Sequence, residues 1–225
     1  MSYKNIKFSA SIMCADWLEI KKQLIELERN EIDFIHYDVL DGTYVPDFTM
    51  GSSIINSIKS FTKIQSHYHL MVDEPMRIFD RFNLKKNDIF TIHQETSRNL
   101  HKDLIFIKKF CKTSVALAPA TSIEHLEYVL EDVNDVLILT VNPGFMSQKM
   151  IPQITKKIEK LKKIIDDMNL DISITVDGNV NKETLIDFIK AGANILVLGS
   201  SGLFIKNKTL TESLNEIKTT IDKIK

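Results

Sequence analysis

Short apolar runs alternate with amphipathic stretches along the whole chain. The runs at 6–13, 34–39, 64–71, 88–93, 114–118, 135–141, 172–177 and 194–199 read as strands. Between them, apolar residues recur at near-helical spacing. In Asp16–Asn30 the residues Leu18, Leu24, Ile25 and Leu27 form such a stripe behind an aspartate cap. Similar patterns predict helices over 52–60, 75–83, 99–111, 122–131, 152–168, 182–191 and 209–223. Eight β-α units without a linker, composition break or low-complexity stretch predict an α/β fold. The expectation is a single TIM-barrel domain over 1–225, with eight parallel strands. A doubly wound open sheet is the runner-up. It usually has fewer strands and would make Val197–Ser200 an ordinary edge.

Length agrees: the chain has 225 residues, and such barrels run to about 250 and manage with about 200. Hydrophobic content of 44% with 26% charged residues is ordinary for a soluble globular protein. The net charge of -1 gives no global bias toward nucleic acid or an anionic membrane. The lysine-rich stretch Lys156–Lys163 carries apolar residues at helical spacing and reads as a solvated helix face. Cys14 and Cys111 form no Cys-x-x-Cys pair and read as reduced thiols. The first residues lack the apolar core of a secretory signal, and no run approaches the roughly 18 apolar residues of a membrane span. A cytoplasmic protein is the expectation.

Polar residues collect at the strand ends. Gly42, Gly144, Gly178, Gly199 and Gly202 follow strands, where a barrel keeps its active-site loops. His36 and Asp38 lie two apart in one strand, so both side chains face the same side. His69 and Asp177 close two further runs. Imidazole nitrogen and carboxylate oxygen together suit a borderline cation such as zinc. On residue types alone, a metal set and a structural polar cluster remain equally open. His93 reads as a hydrogen-bonded core or rim residue, and His101 and His125 as surface residues. Val141–Phe145, Asp177–Asn179 and Gly199–Gly202 follow the last three strands and offer backbone N–H groups and hydroxyls to a phosphate.

These segments resemble the ribulose-phosphate 3-epimerase family across nearly the full length. The resemblance is carried by Ser11, His36-Tyr-Asp38 with Val39–Gly42, Val45-Pro46, His69–Met71, Val141–Phe145, Val176–Gly178 and Gly199-Ser200. It implies a metal-dependent epimerase inverting C3 of a 2-ketose phosphate through an enediolate. One divalent ion per chain is then held by His36, Asp38, His69 and Asp177: zinc first, with iron, manganese, cobalt or magnesium as alternatives. Asp38 and Asp177 become the acid/base pair. Ser11, His69, Gly144, Phe145, Met146, Ser147, Gly178, Asn179, Gly199 and Ser200 become the substrate contacts, with Leu40 and Met71 as an apolar floor. A homo-oligomer is expected, with no nucleic-acid or membrane partner.

Five positions depart from the family pattern. Asn179, Met146 and Ser147 stand where glycines are usual, Leu40 where a methionine is, and His67 where an aspartate is. Asp177–Asn181 and Ser201–Phe204 are closer to the D-allulose-6-phosphate branch, whereas Val141–Gly144 is closer to the ribulose-phosphate branch. Ribulose 5-phosphate is the expected substrate, allulose 6-phosphate the alternative. A keto-sugar phosphate decarboxylase would want a cationic lysine beside its carboxylates, and strand 34–42 has none. A non-catalytic metal- and phosphate-binding barrel is the rival of another class.

Overall fold

The computed structural model describes residues 6–145 and 148–223. Eight parallel strands form its sheet: β1 (Lys7–Ser11), β2 (Phe34–Asp41), β3 (Gln65–Met71), β4 (Ile89–His93), β5 (Lys112–Leu117), β6 (Asp135–Leu139), β7 (Ser173–Asp177) and β8 (Ile195–Leu198). Each pairs with its neighbour, and β1 pairs with both β2 and β8, which closes the barrel. The two residues Phe48–Thr49 add antiparallel to the end of β2. All eight expected strands are present, and the closure excludes the open sheet.

Among the described residues six α-helices wrap the barrel: α1 (Ile20–Arg29), α2 (Ser52–Phe61), α3 (Leu100–Ile107), α4 (Ile154–Asp167), α5 (Leu185–Ala191) and α6 (Leu210–Asp222). Thr209 caps α6 through a reciprocal pair of hydrogen bonds with Glu212. The expected helices over 75–83 and 122–131 are instead pairs of 3-10 turns, Pro75–Arg77 with Phe79–Arg81 and Ile123–Leu126 with Leu130–Asp132. Buried Ile123, Leu126 and Val129 recur every third residue, as do Phe79 and Phe82. That is the period of a 3-10 turn, not of an α-helix. The first helix also starts later than expected. Asp16 Oδ1 accepts the Leu18 N–H at 2.9 Å and closes a turn before the helix, leaving Leu18 95% exposed.

Strand alternation divides the core in two. Ile35, Tyr37, Tyr68, Leu70, Phe90, Val136 and Ile138 point outward and pack against Leu24, Leu27, Ile55, Leu104 and Ile158 of the helices. Inside, Phe34, Ile89 and Ile195 join at the strand starts in a small apolar plug. The layer next above it is polar, with Ala116, Leu137 and Leu139 forming a second small apolar cluster higher on one side. His67 meets Ser9 Oγ at 3.3 Å and Thr91 Oγ1 at 3.2 Å. The Asp135 carboxylate accepts hydrogen bonds from Ser114 Oγ at 2.6 Å and Thr175 Oγ1 at 2.7 Å.

Burial lifts the Asp135 carboxyl from 3.8 to about 6, against the pull of those two hydroxyls and of His36. The folded chain therefore holds this proton more tightly than the unfolded one, and stability falls as pH rises from about 4 through 6. Asp135→Asn removes the titration and keeps an acceptor. Relative to wild type, the variant should gain about 2 kcal/mol in unfolding free energy between about pH 4.5 and about pH 8. Denaturant titrations at both pH values measure it. A difference that does not change with pH would mean the carboxyl titrates alike in both states.

Candidate active site

Register brings the polar residues of the upper barrel together. Asp38 of β2 pairs with His69 of β3, and His36 lies one pleat below Asp38 on the same face. Closure of the barrel then brings Asp177 of β7 round to meet them. His36 Nε2 lies 3.3 Å from Asp38 Oδ1 and 3.5 Å from Asp177 Oδ2. His69 Nδ1 lies 3.3 Å from each of the same two oxygens. The two imidazole nitrogens are 3.4 Å apart. All four sequence-predicted ligands thus converge, with one donor atom of each within 4.8 Å of the others.

That geometry fits a small divalent cation. Donors about 2.0–2.1 Å from a tetrahedral ion are separated by about 3.3–3.4 Å, close to the five spacings between 3.3 and 3.5 Å given above. Charge fits as well, because two carboxylates balance a dication and leave both imidazoles neutral. The four residues could hold a metal ion.

The field within the cluster is strong. Burial is the largest influence on His36 and opposes its charge, yet Asp38 and Asp177 overcome it and raise the imidazole to about 10. His69 is raised on the same balance. Burial would raise Asp38 and Asp177, but the two histidines hold both carboxyls below the usual carboxylate range. Both aspartates are therefore held as anions. Ser11 Oγ donates to Asp38 Oδ2 at 2.6 Å, so one Asp38 oxygen faces the histidines and the other faces Ser11. The Thr49 hydroxyl bonds the Asp38 carbonyl, which ties the short added strand to the site.

Above the cluster lies a cleft of about 700 Å³. Ser11, Gly144, Phe145, Gly178, Asn179, Gly199 and Ser200 line it, as the sequence predicts, together with Asp38 and Asp177. His69 is fully buried beneath it and is not among the residues that line the cleft. Met146 and Ser147 lie outside the described residues. Leu40 and Met71 line one wall and pack on Val45, Met13 and Tyr44. Gly178 takes φ +110°, where a Cβ would meet Val141 Cγ2 at 2.6 Å. Asn179 follows at φ +50°. Asparagine tolerates this left-handed backbone better than most residues.

Sequence reasoning missed several contributors. Cys14 and Gln148 also line the cleft. Gln148 Nε2 holds the β6 loop through the carbonyls of Asn142 at 2.6 Å and Phe145 at 3.0 Å. Burial, with help from Asp38, lifts the Cys14 thiol to about 11, which makes it a poor nucleophile. His93 Nε2 stands 2.9 Å from His69 Nε2, and His93 Nδ1 stands 3.0 Å from Glu95 Oε2. Burial lowers His93 to about 4. Hydrogen bonds from His93 and Thr121 outweigh burial at Glu95 and bring it to about 2. The two-residue spacing that exposed His36 and Asp38 also joins His93 and Glu95, so that signal was present in the sequence.

A model of the ribulose-phosphate 3-epimerase family matches residues 7–204. The chain belongs to that family. A ribulose-phosphate 3-epimerase from Bacillus subtilis is 38% identical over 211 residues, which cover 92% of this chain and 97% of that protein. One from Methanocaldococcus jannaschii is 39% identical over 214 residues, 94% of this chain and 90% of that one. Among solved structures, a 3-hexulose-6-phosphate synthase superposes with a TM-score of 0.62 at 16% identity, covering 96% of this chain and 99% of that one. A thiamine phosphate pyrophosphorylase from Pyrococcus furiosus gives 0.64 at 9% identity, covering 99% and 98%. At such identities the structural likeness concerns the barrel alone. No helix among the described residues is long and apolar enough to cross a membrane.

Purified protein should carry about one divalent ion per chain, and His69→Ala should lose most of it. Elemental analysis of both proteins provides the check. Equal metal content in the two would remove His69 from the ligand set.

Proposed function

We propose that the chain inverts C3 of a 2-ketose phosphate, interconverting D-ribulose 5-phosphate and D-xylulose 5-phosphate. The observation that carries this reading is the pair Asp38 and Asp177, two anionic carboxylates from β2 and β7 opening into one cleft. The names of the relatives support it. Removing the C3 proton leaves charge on the adjoining carbonyl, and a carboxylate is too weak a base for so feeble a carbon acid unless that charge is stabilised. A bound dication, zinc being favoured by the nitrogen and oxygen donors, supplies that stabilisation as a Lewis acid.

The protein's residues do the rest. Asp38 accepts the proton from one face of C3, and Asp177, an anion at rest, takes up a proton from solvent and delivers it to the other face. The roles exchange in the reverse direction, so inversion needs no moving machinery. Ser11 fixes one Asp38 oxygen and thereby its orientation. The turns at Gly144, Gly178 and Gly199-Ser200 take the phosphate and place C3 between the carboxylates. Leu40 and Met71 keep water from the carbanion.

Ribulose 5-phosphate is favoured over allulose 6-phosphate because the relatives at 38% and 39% identity are ribulose-phosphate 3-epimerases. Pockets separate substrates by one carbon with only about 1–3 kcal/mol unless a polar contact is involved, so some activity on both is expected. A kcat/KM clearly higher for allulose 6-phosphate would reverse the assignment.

Asp38→Asn and Asp177→Asn should each lower kcat by roughly three orders of magnitude or more, and the double variant should lose little beyond either. Product formed in deuterium oxide should carry deuterium at C3. Near-normal turnover in either variant would transfer the proton step to another residue.

A further inference from the structure

Behind His69 a line of polar side chains runs away from the cleft. His69 Nε2 meets His93 Nε2 at 2.9 Å, and the two rings, only 22° out of parallel with centroids 5.1 Å apart, face each other edge to edge. His93 Nδ1 meets Glu95 Oε2 at 3.0 Å, and Tyr44 Oη lies 3.2 Å from the same nitrogen. The other Glu95 oxygen, Oε1, accepts the Ala118 N–H at 2.8 Å and the Thr121 hydroxyl. His69 and His93 are both fully buried. The function proposed above uses none of His93, Glu95, Ala118 or Thr121.

Hydrogen-bonding capacity fixes the direction of this line. A carboxylate only accepts, so the nitrogen facing Glu95 must carry hydrogen. His93 Nδ1 is therefore the donor to Glu95, and the neutral ring has its lone pair at Nε2. That lone pair faces His69 Nε2, which must then be the donor. His69 therefore keeps its hydrogen on Nε2 when a cation displaces the proton from Nδ1, the atom lying 3.3 Å from both Asp38 and Asp177.

From this geometry we infer that His93 and Glu95 are positioning residues that set the tautomer and ring orientation of His69 for metal binding. Glu95 acts through two successive hydrogen bonds, without touching the cleft. Ala118 and Thr121 anchor it by saturating its other oxygen. The inference rests on His69 being a metal ligand, as read above.

Glu95→Gln tests it with little change in shape. Ala118 and Thr121 both donate, so they select the amide oxygen and turn the NH₂ group toward His93. His93 must then accept at Nδ1 and donate at Nε2, which forces His69 to accept at Nε2 and carry hydrogen on Nδ1. Competition between a chelator and the protein for zinc should show affinity about 10–100-fold weaker in the variant. Nitrogen-15 NMR of the histidines should show His93 protonated at Nδ1 in the wild type and at Nε2 in the variant. The NMR result on wild type does not depend on how well the variant folds. Zinc affinity within twofold of wild type, or a wild-type His93 protonated at Nε2, would overturn the inference. A loss of thermal stability with unchanged zinc affinity would also overturn it, because that is what a merely structural hydrogen bond predicts. Failure of the wild type to bind zinc at all would instead remove the metal reading beneath it.

Discussion

Two aspartates and two histidines, all buried but the half-buried Asp177, are linked by contacts of 3.5 Å or less, and that is the constraint on which the upper barrel depends. Carboxylates of like charge repel at such separations, and their removal from water is costly unless opposite charge lies between them. The strand register supplies the geometry. Asp38 stands beside His69 because β2 and β3 pair there, and Asp177 reaches the pair only because β1 bonds to β8 as well as β2. An open sheet would leave Asp177 stranded on the far side. Closure is therefore a functional requirement here as well as the way to remove exposed edges.

The polar layer beneath the site follows from the same demand. Barrel interiors of this class are usually filled by branched apolar side chains, but here Ser9, His67, Thr91, Ser114, Asp135 and Thr175 occupy the middle. Each of these bonds to another, so the layer costs less than its composition suggests. The apolar plug of Phe34, Ile89 and Ile195 lies below it, and the large apolar core lies outside, between strands and helices. Stability thus comes mainly from the outer layer. The inner layer is left free to serve the chemistry, and Asp135, half titrated near pH 6, shows what that arrangement costs.

Strands were legible in the sequence because each is buried on both faces and reads as a short apolar run between turn residues. Helices were legible where their apolar stripe kept a period near 3.6, as in α4 with Ile154, Ile158, Leu161 and Ile165. The stripe at 123, 126 and 129 keeps a period of three, and reading it as helical gave the wrong element. Leu18 misled for another reason: it continues the stripe of α1 in sequence, while the Asp16 turn interrupts the backbone before it. The four cluster residues were legible by type and by their place at strand ends, though only the register could show their separations. His93 reads from the sequence as a hydrogen-bonded core or rim residue, and it is buried and bonded to His69 and Glu95; its place behind His69 comes from the register alone.

The two histidines of the cluster are not held alike. His69 is held from behind by His93 and Glu95, whereas His36 Nδ1 is buried and has no hydrogen-bond partner among the described residues. Leaving such a nitrogen unpaired costs about 1–3 kcal/mol. What lies against that ring is His67, edge-on at 4.7 Å between centroids, whose own nitrogens are taken by Ser9 and Thr91. His67 occupies the position where the family pattern has an aspartate, a side chain that only accepts when ionised. His36 is thus oriented by packing and by its two carboxylate contacts. One imidazole is fixed by a directed line of hydrogen bonds and the other by shape. The pocket behind His36 is accordingly the side of the cluster held by packing, and the pocket behind His69 the side held by hydrogen bonds.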